Sequence, residues 1–160
     1  MINLSNAEKK TEPIGETDHK ADFKEYSGLT RDRGSQRIGG AIFQARVDTT
    51  HPLTYGFERD DIALFKRGTR SIGYSDNLYA QPIIYTEQPL LSGYAPDESV
   101  EKLAESAAVR VFRNGRGRII CFADNTHFRA YFRGTERLFI NAVFFGHLID
   151  GRSAESVSGY

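Results

Sequence analysis

This sequence predicts a single domain of mixed α/β class, on three observations. Short apolar runs bounded by turn residues recur along the chain, the clearest being Ile119-Ile120-Cys121-Phe122. Two segments carry helical spacing instead: Val100, Leu103, Ala104 and Ala107, then Leu138, Phe139, Ala142 and Phe145. The chain has 160 residues, 39% hydrophobic and 26% charged. A chain of that size forms one core that buries roughly 70% of its unfolded surface.

Taken in order, residues 1–20 are polar and charged, with almost no large apolar side chains. Such a segment cannot bury enough surface to offset its ordering entropy, so a disordered lead is expected. The folded α/β unit is expected over 21–150, with Phe23 and Tyr26 opening a short helix that ends near Gly28. Ile38 to Val47 is the first strand, closed by Asp48-Thr49-Thr50-His51-Pro52, where Pro52 removes a backbone donor and extends His51. Ile62 to Lys66 and Gln81 to Tyr85 are shorter strands, and Pro82 suits an edge or a strand start. Pro96-Asp97-Glu98 opens a helix with acidic residues at its positive end. Ala108 to Phe112 and Arg118 to Ala123 are strands joined at Asn114-Gly115, a strong hairpin signal. The last helix starts near Thr135, a capping candidate, and buries Leu138, Phe139, Ala142 and Phe145. Residues 151–160 form a Ser-rich flexible tail.

The bulk properties exclude several functions. Lys plus Arg and Asp plus Glu are both 21, so the formal net charge is zero. A general nucleic-acid binder needs a basic excess, and none is present. The lone Cys121 cannot form an intramolecular disulfide or a Cys-rich zinc site. No run approaches the roughly 20 apolar residues that span a bilayer, so no membrane insertion is expected. The N-terminus has no apolar core of a signal peptide.

Two Asp-x-x-His units are the main candidates for chemistry: Asp48 to His51 after the first strand, and Asp124 to His127 after the strand ending at Phe122. In open α/β sheets, ligands bind beyond the carboxyl ends of strands. If the two ends are neighbours, Asp48, His51, Asp124 and His127 could form a metal-binding or hydrolytic site. The simpler account is that each Asp closes a turn on backbone N–H groups and that His51 packs beside Pro52. Cys121 lies inside an apolar strand, where a thiol behaves as a small hydrophobe. The basic run Arg110, Arg113, Arg116 and Arg118 reads as a solvated face. Phe144 and Phe145 are adjacent and cannot both face one narrow stripe, so they are candidates for an interface.

Several ordered motifs add a resemblance. They are the Arg116 to Gly146 stretch RGRIICFADNTHFRAYFRGTERLFINAVFFG, the Gly39 to Phe43 run GGAIF, the D-x-T-H-P-L-x-Y-G pattern from Asp48 to Gly56, and P-L-L-S-G-Y from Pro89 to Tyr94. Together they resemble the C-terminal class I glutamine amidotransferase-like domain of bacterial zinc carboxypeptidase-related proteins. The resemblance implies a reduced, incomplete three-layer sandwich of flavodoxin-like kind. It implies a non-catalytic accessory domain or fragment that packs against the parent's peptidase domain or self-associates. Zinc would belong to that peptidase domain, with no cofactor in this chain. Here His19-x-x-Asp22 and His147-x-x-Asp150 carry Asp where zinc ligation of that family requires Glu, and no nucleophile elbow is present. Asp48, Asp124, Asn125 and Arg129 match the family's recurrent pattern, with His51 inside the first motif, and Arg129 is expected to pair with Asp124. Parents of this kind are secreted or envelope-associated.

Overall fold

The computed structural model describes residues 25–157. The polar lead lies outside them. Six strands form one sheet: β1 (Gly40–Val47), β2 (Asp61–Lys66), β3 (Ile83–Tyr94), β4 (Ala107–Asn114), β5 (Gly117–Phe122) and β6 (Glu155–Ser156). Five of them run in the order β2-β1-β3-β4-β5, every neighbouring pair antiparallel. The sheet curls into a half-barrel. Three helices accompany it: α1 (Leu29–Ser35), α2 (Asp97–Leu103) and α3 (Glu136–Phe145). The mixed helix-and-strand class thus holds. Along this path the sheet is antiparallel throughout, not the parallel sheet of a three-layer sandwich: β2 and β3 flank β1 on either side, and β4 and β5 are joined by a tight hairpin.

Alternation on the strands builds the core. Ala41, Phe43, Ala45 and Val47 of β1 are buried, as are Ile62, Leu64 and Lys66 of β2. Ile83 and Tyr85 of β3 and Val109 and Val111 of β4 complete the inner face. The Phe43 and Tyr85 rings meet edge to face, with centroids 6.1 Å apart. Helix α2 covers one side through Leu103 and Val100.

β3 continues well past the predicted Tyr85. Its pairing with β1 jumps from Ala45↔Tyr85 to Phe43↔Leu90. Pro89, which lacks a backbone donor, is accommodated in this bulge. Gly93 then takes φ +94°, and a Cβ there would lie 2.9 Å from the Ala41 Cα. The P-L-L-S-G-Y motif therefore has a backbone reason: it bends one central strand across its neighbour. At the other hairpin the ladder closes on Asn114↔Gly117, with Gly115 at φ +57°.

Residues 151–157 do not form the flexible tail expected from their composition. Ala154 is buried, and β6 pairs in parallel with β4 at Phe112 and Arg113. Glu155 accepts bonds from Arg110 and Ser75. The arginines of the β4–β5 hairpin are thus partly turned inward: Arg113 bonds the Ser156 hydroxyl at 3.1 Å and Arg118 the Ile149 carbonyl at 3.1 Å. No helix among the described residues is long and apolar enough to cross a membrane.

Candidate functional site

The loop after β1 is organised by its own side chains. The Asp48 carboxylate accepts from the Thr50 N–H at 2.9 Å and the Thr50 hydroxyl at 2.6 Å. The Thr54 hydroxyl donates to the carbonyls of Asp48 and His51. His51 caps the short 3₁₀ turn Pro52–Thr54, its Nδ1 accepting from the Leu53 N–H at 3.1 Å. That bond fixes the neutral tautomer with the proton on Nε2, which is buried without a partner among the described residues. Burial lowers the His51 pKa, and the nearby Asp48 charge opposes this only in part. His51 lines an apolar cavity of about 360 Å³ with Tyr55, Phe145 and Leu148.

Helix α3 sits on this loop. The Asn141 side-chain amide, 3% exposed, donates to the carbonyls of Leu53 and Tyr55, each at 2.9 Å. Arg137 bonds the Gly56 carbonyl. The motif from Asp48 to Gly56 is therefore the seat of α3, and Asn141 is its anchor.

Asp124 has a different role. It follows β5, one edge of the half-barrel, and meets Lys66 at the end of β2, the opposite edge. Lys66 Nζ lies 2.8 Å from one carboxylate oxygen, with the two side chains only 1% and 8% exposed. The Tyr85 hydroxyl donates to the other oxygen. Lys66 also donates to the Arg70 carbonyl at 2.7 Å and lies 5.7 Å from the centre of the Tyr85 ring. Burial first, then the Asp124 charge and hydrogen bond, push the Tyr85 phenol far above its ordinary range. Beside the pair, Phe65 of β2 stacks on Phe128, centroids 4.4 Å apart. The ion pair and the stacked rings together form a seam that joins the two sheet edges.

Arg129 is not the partner of Asp124. Its backbone sits at φ +53°, and its guanidinium lies 5.6 Å from the Phe128 ring centre. Lys66, arriving from the opposite edge, takes the carboxylate instead. Asn125 closes its own turn by accepting from the His127 N–H at 2.9 Å, and His127 Nδ1 faces Glu136 at 3.3 Å. Neither Lys66 nor Tyr85 stood out as a site residue in the sequence. The usable signal was the alternation Ile62, Leu64, Lys66, which puts an ammonium at an inward position.

The two Asp-x-x-His units are not brought together. Val47, Ile83, Val109 and Phe122 lie in one row of partners, but β1 and β5 run in opposite directions, so the two loops leave opposite ends of the sheet with β3 and β4 between them. Among the described residues, no three His, Cys, Asp or Glu side chains converge on a metal site. Asp48, His51, Asp124 and His127 therefore do not form one shared zinc site, and no zinc-dependent step is assigned to them. Cys121 is a free, partly buried thiol on β5.

The remaining candidates, Phe144 and Phe145, diverge. Phe145 is half-buried, its ring 5.4 Å from Tyr55 in an edge-to-face contact, whereas Phe144 is 66% exposed. Phe139, Ile140 and Val143 are exposed with it. No family model matches this chain, and no curated protein or solved structure is significantly similar to it.

Proposed function

We propose that this chain is a non-catalytic accessory domain of a zinc carboxypeptidase-related protein, docking through the outward face of α3. The observation that carries the reading is that face. Phe139, Ile140, Val143 and Phe144 are all at least 46% exposed on one short helix, with exposed Leu148 just beyond. Contiguous apolar patches of this kind seldom stay uncovered in soluble monomers. The inner face is meanwhile fixed by Asn141 and Leu138, so the helix is firmly seated and its outer residues are free to receive a partner. The Asp48, His51, Asp124 and Asn125 side chains are committed to turns and to the seam, which supports a packing role over catalysis. In the parent the α3 face meets the peptidase domain, and in the isolated chain a second copy takes that place.

Sedimentation velocity across a concentration series tests this. The wild type is expected to self-associate, and Val143→Glu and Phe144→Glu to remain folded and monomeric. A wild type that stays monomeric up to its solubility limit, or variants that associate as the wild type does, would reject the docking face. Purified chain should release neither C-terminal amino acids from peptides in the presence of zinc nor ammonia from glutamine.

A further inference from the structure

A second surface, independent of α3, lies over the seam. A cavity of about 590 Å³ opens between the residues following β2 and those following β5, lined by Arg37, Arg67, Arg70, Asp124, Asn125 and Phe128 among others. We propose that it binds a phosphomonoester group, with Arg37, Arg67 and Arg70 as the ligating side chains.

Charge is the first argument. In a chain of zero net charge, three arginines elsewhere are matched by carboxylates: Arg59 with Asp61, Arg110 with Glu155, Arg152 with Asp150. Around this cavity three guanidinium groups have no hydrogen bond or ion pair among the described residues. The one carboxylate in the lining, Asp124, is already neutralised by Lys66 and bonded by Tyr85. The local excess of positive charge is therefore uncompensated, in a concave site where the field of several cations adds.

Rigidity is the second. The Gly68 N–H donates to the Ile38 carbonyl at 2.8 Å, and Lys66 holds the Arg70 carbonyl from below. Ile38 is itself 1% exposed. Arg67, Arg70 and Arg37 thus rise from backbone that is tied to the core, so less ordering is required on binding. The stacked Phe65 and Phe128 rings form an apolar wall that limits water on one side.

The ligand class follows from the donors. Guanidinium forks match the planar pairs of oxygens on phosphate and carboxylate. Three separate forks exceed what one carboxylate can accept, whereas a phosphomonoester presents three terminal oxygens and close to two charges at neutral pH. The side-chain amide of Asn125 offers further donors at the rim. A phosphomonoester can come from a small soluble molecule or from a lipid headgroup, and the shared chemistry is the same.

The test is calorimetric titration of the full chain with phenyl phosphate, using acetate at matched ionic strength as the comparison. Saturable binding of phenyl phosphate is expected, with acetate at least about tenfold weaker. Arg67→Gln with Arg70→Gln should weaken binding about tenfold or more while the thermal midpoint is kept, and Arg37→Gln provides a second, independent variant. Arg116→Gln, on the distant β4–β5 turn, should bind as the wild type does. Added salt should weaken the interaction. Co-sedimentation with phosphatidylcholine vesicles containing phosphatidic acid would assign the source to a headgroup. Binding of phenyl phosphate without vesicle binding would assign it to a soluble ligand. No saturable binding up to roughly 10 mM, equal affinity for acetate, or affinity unchanged in the arginine variants would overturn the proposal.

Discussion

An ammonium at the third inward position of an apolar strand survives only if its charge is paired, and Lys66 shows how. Its charge faces the Asp124 carboxylate at 2.8 Å, and the Arg70 carbonyl takes a second bond. Pairing of this kind stabilises less than the Coulomb attraction suggests, since both ions lost their water. Breaking it is a different matter, because the remaining partner is left charged and dry. Lys66→Met alone should therefore cost about 3–5 kcal/mol in urea unfolding. Adding Asp124→Asn should recover part of that loss, since no net charge is then left buried. A single variant within about 1 kcal/mol of the wild type would show that the pair contributes little. His51 makes a pH-dependent contribution of opposite chemistry. Burial lowers its pKa from the ordinary 6.5, so the unfolded chain binds a proton there that the folded chain resists. The sign follows directly: stability rises with pH wherever the unfolded state holds more protons. The His51 contribution is present above pH 6.5 and is lost as pH falls from there toward the folded pKa. His51→Asn, which keeps a side-chain acceptor for the Leu53 N–H, should flatten that part of the stability curve. An unchanged slope between wild type and variant in denaturant melts would remove His51 as its source.

At the scale of elements, α3 shows both what the sequence disclosed and what it hid. Its start near Thr135 and its length follow from helical spacing, and it is observed over Glu136–Phe145. Its phase does not follow. A hydrophobicity pattern assigns Phe139 to the core and has no place for an inward asparagine. In the fold Asn141 is buried because two carbonyls of the loop below require donors, while Phe139 is 54% exposed. Thr135 likewise spends its hydroxyl on the Thr126 carbonyl at 2.6 Å, not on capping the helix. The testable consequence is a contrast between neighbours. Leu138→Ala should cost about 2–5 kcal/mol, the range for a buried Leu, whereas Phe139→Ala should stay below about 1 kcal/mol. Equal losses in urea melts would break this helix phase. Local signals were the readable ones throughout. The Asn114-Gly115 hairpin and the Asp48 turn were visible because their determinants lie within a few residues. Lys66 meeting Asp124, fifty-eight residues away, was invisible because it depends on the curl of the whole sheet.

For the molecule as a whole, the half-barrel has to hold two sheet edges together and keep its C-terminal segment in place. The edges meet at the Lys66–Asp124 seam and the Phe65–Phe128 stack. The segment after Asp150 docks on the other side of the sheet's path, beside β4, where Ala154 is 6% exposed and Glu155 joins Arg110 and Ser75. Composition alone made this segment look loose, because serine and glycine dominate it. Its attachment comes from arginines more than thirty residues earlier, whose partners no local pattern reveals. Ending the chain at Asp150 would expose the surface under Ala154 and leave the partly buried Arg110 guanidinium without its carboxylate. Loss of a charged hydrogen bond of this kind, with the accompanying apolar contact, amounts to about 2 kcal/mol or more. In a domain of this size that is a fall of roughly 4–8 °C in the thermal midpoint. Arg110→Ala in the full chain should reproduce part of the fall, and adding it to the truncation should cost little more, because both act through the same contact. A truncated chain that melts with the full chain would mean that residues 151–157 do not stabilise the fold in solution.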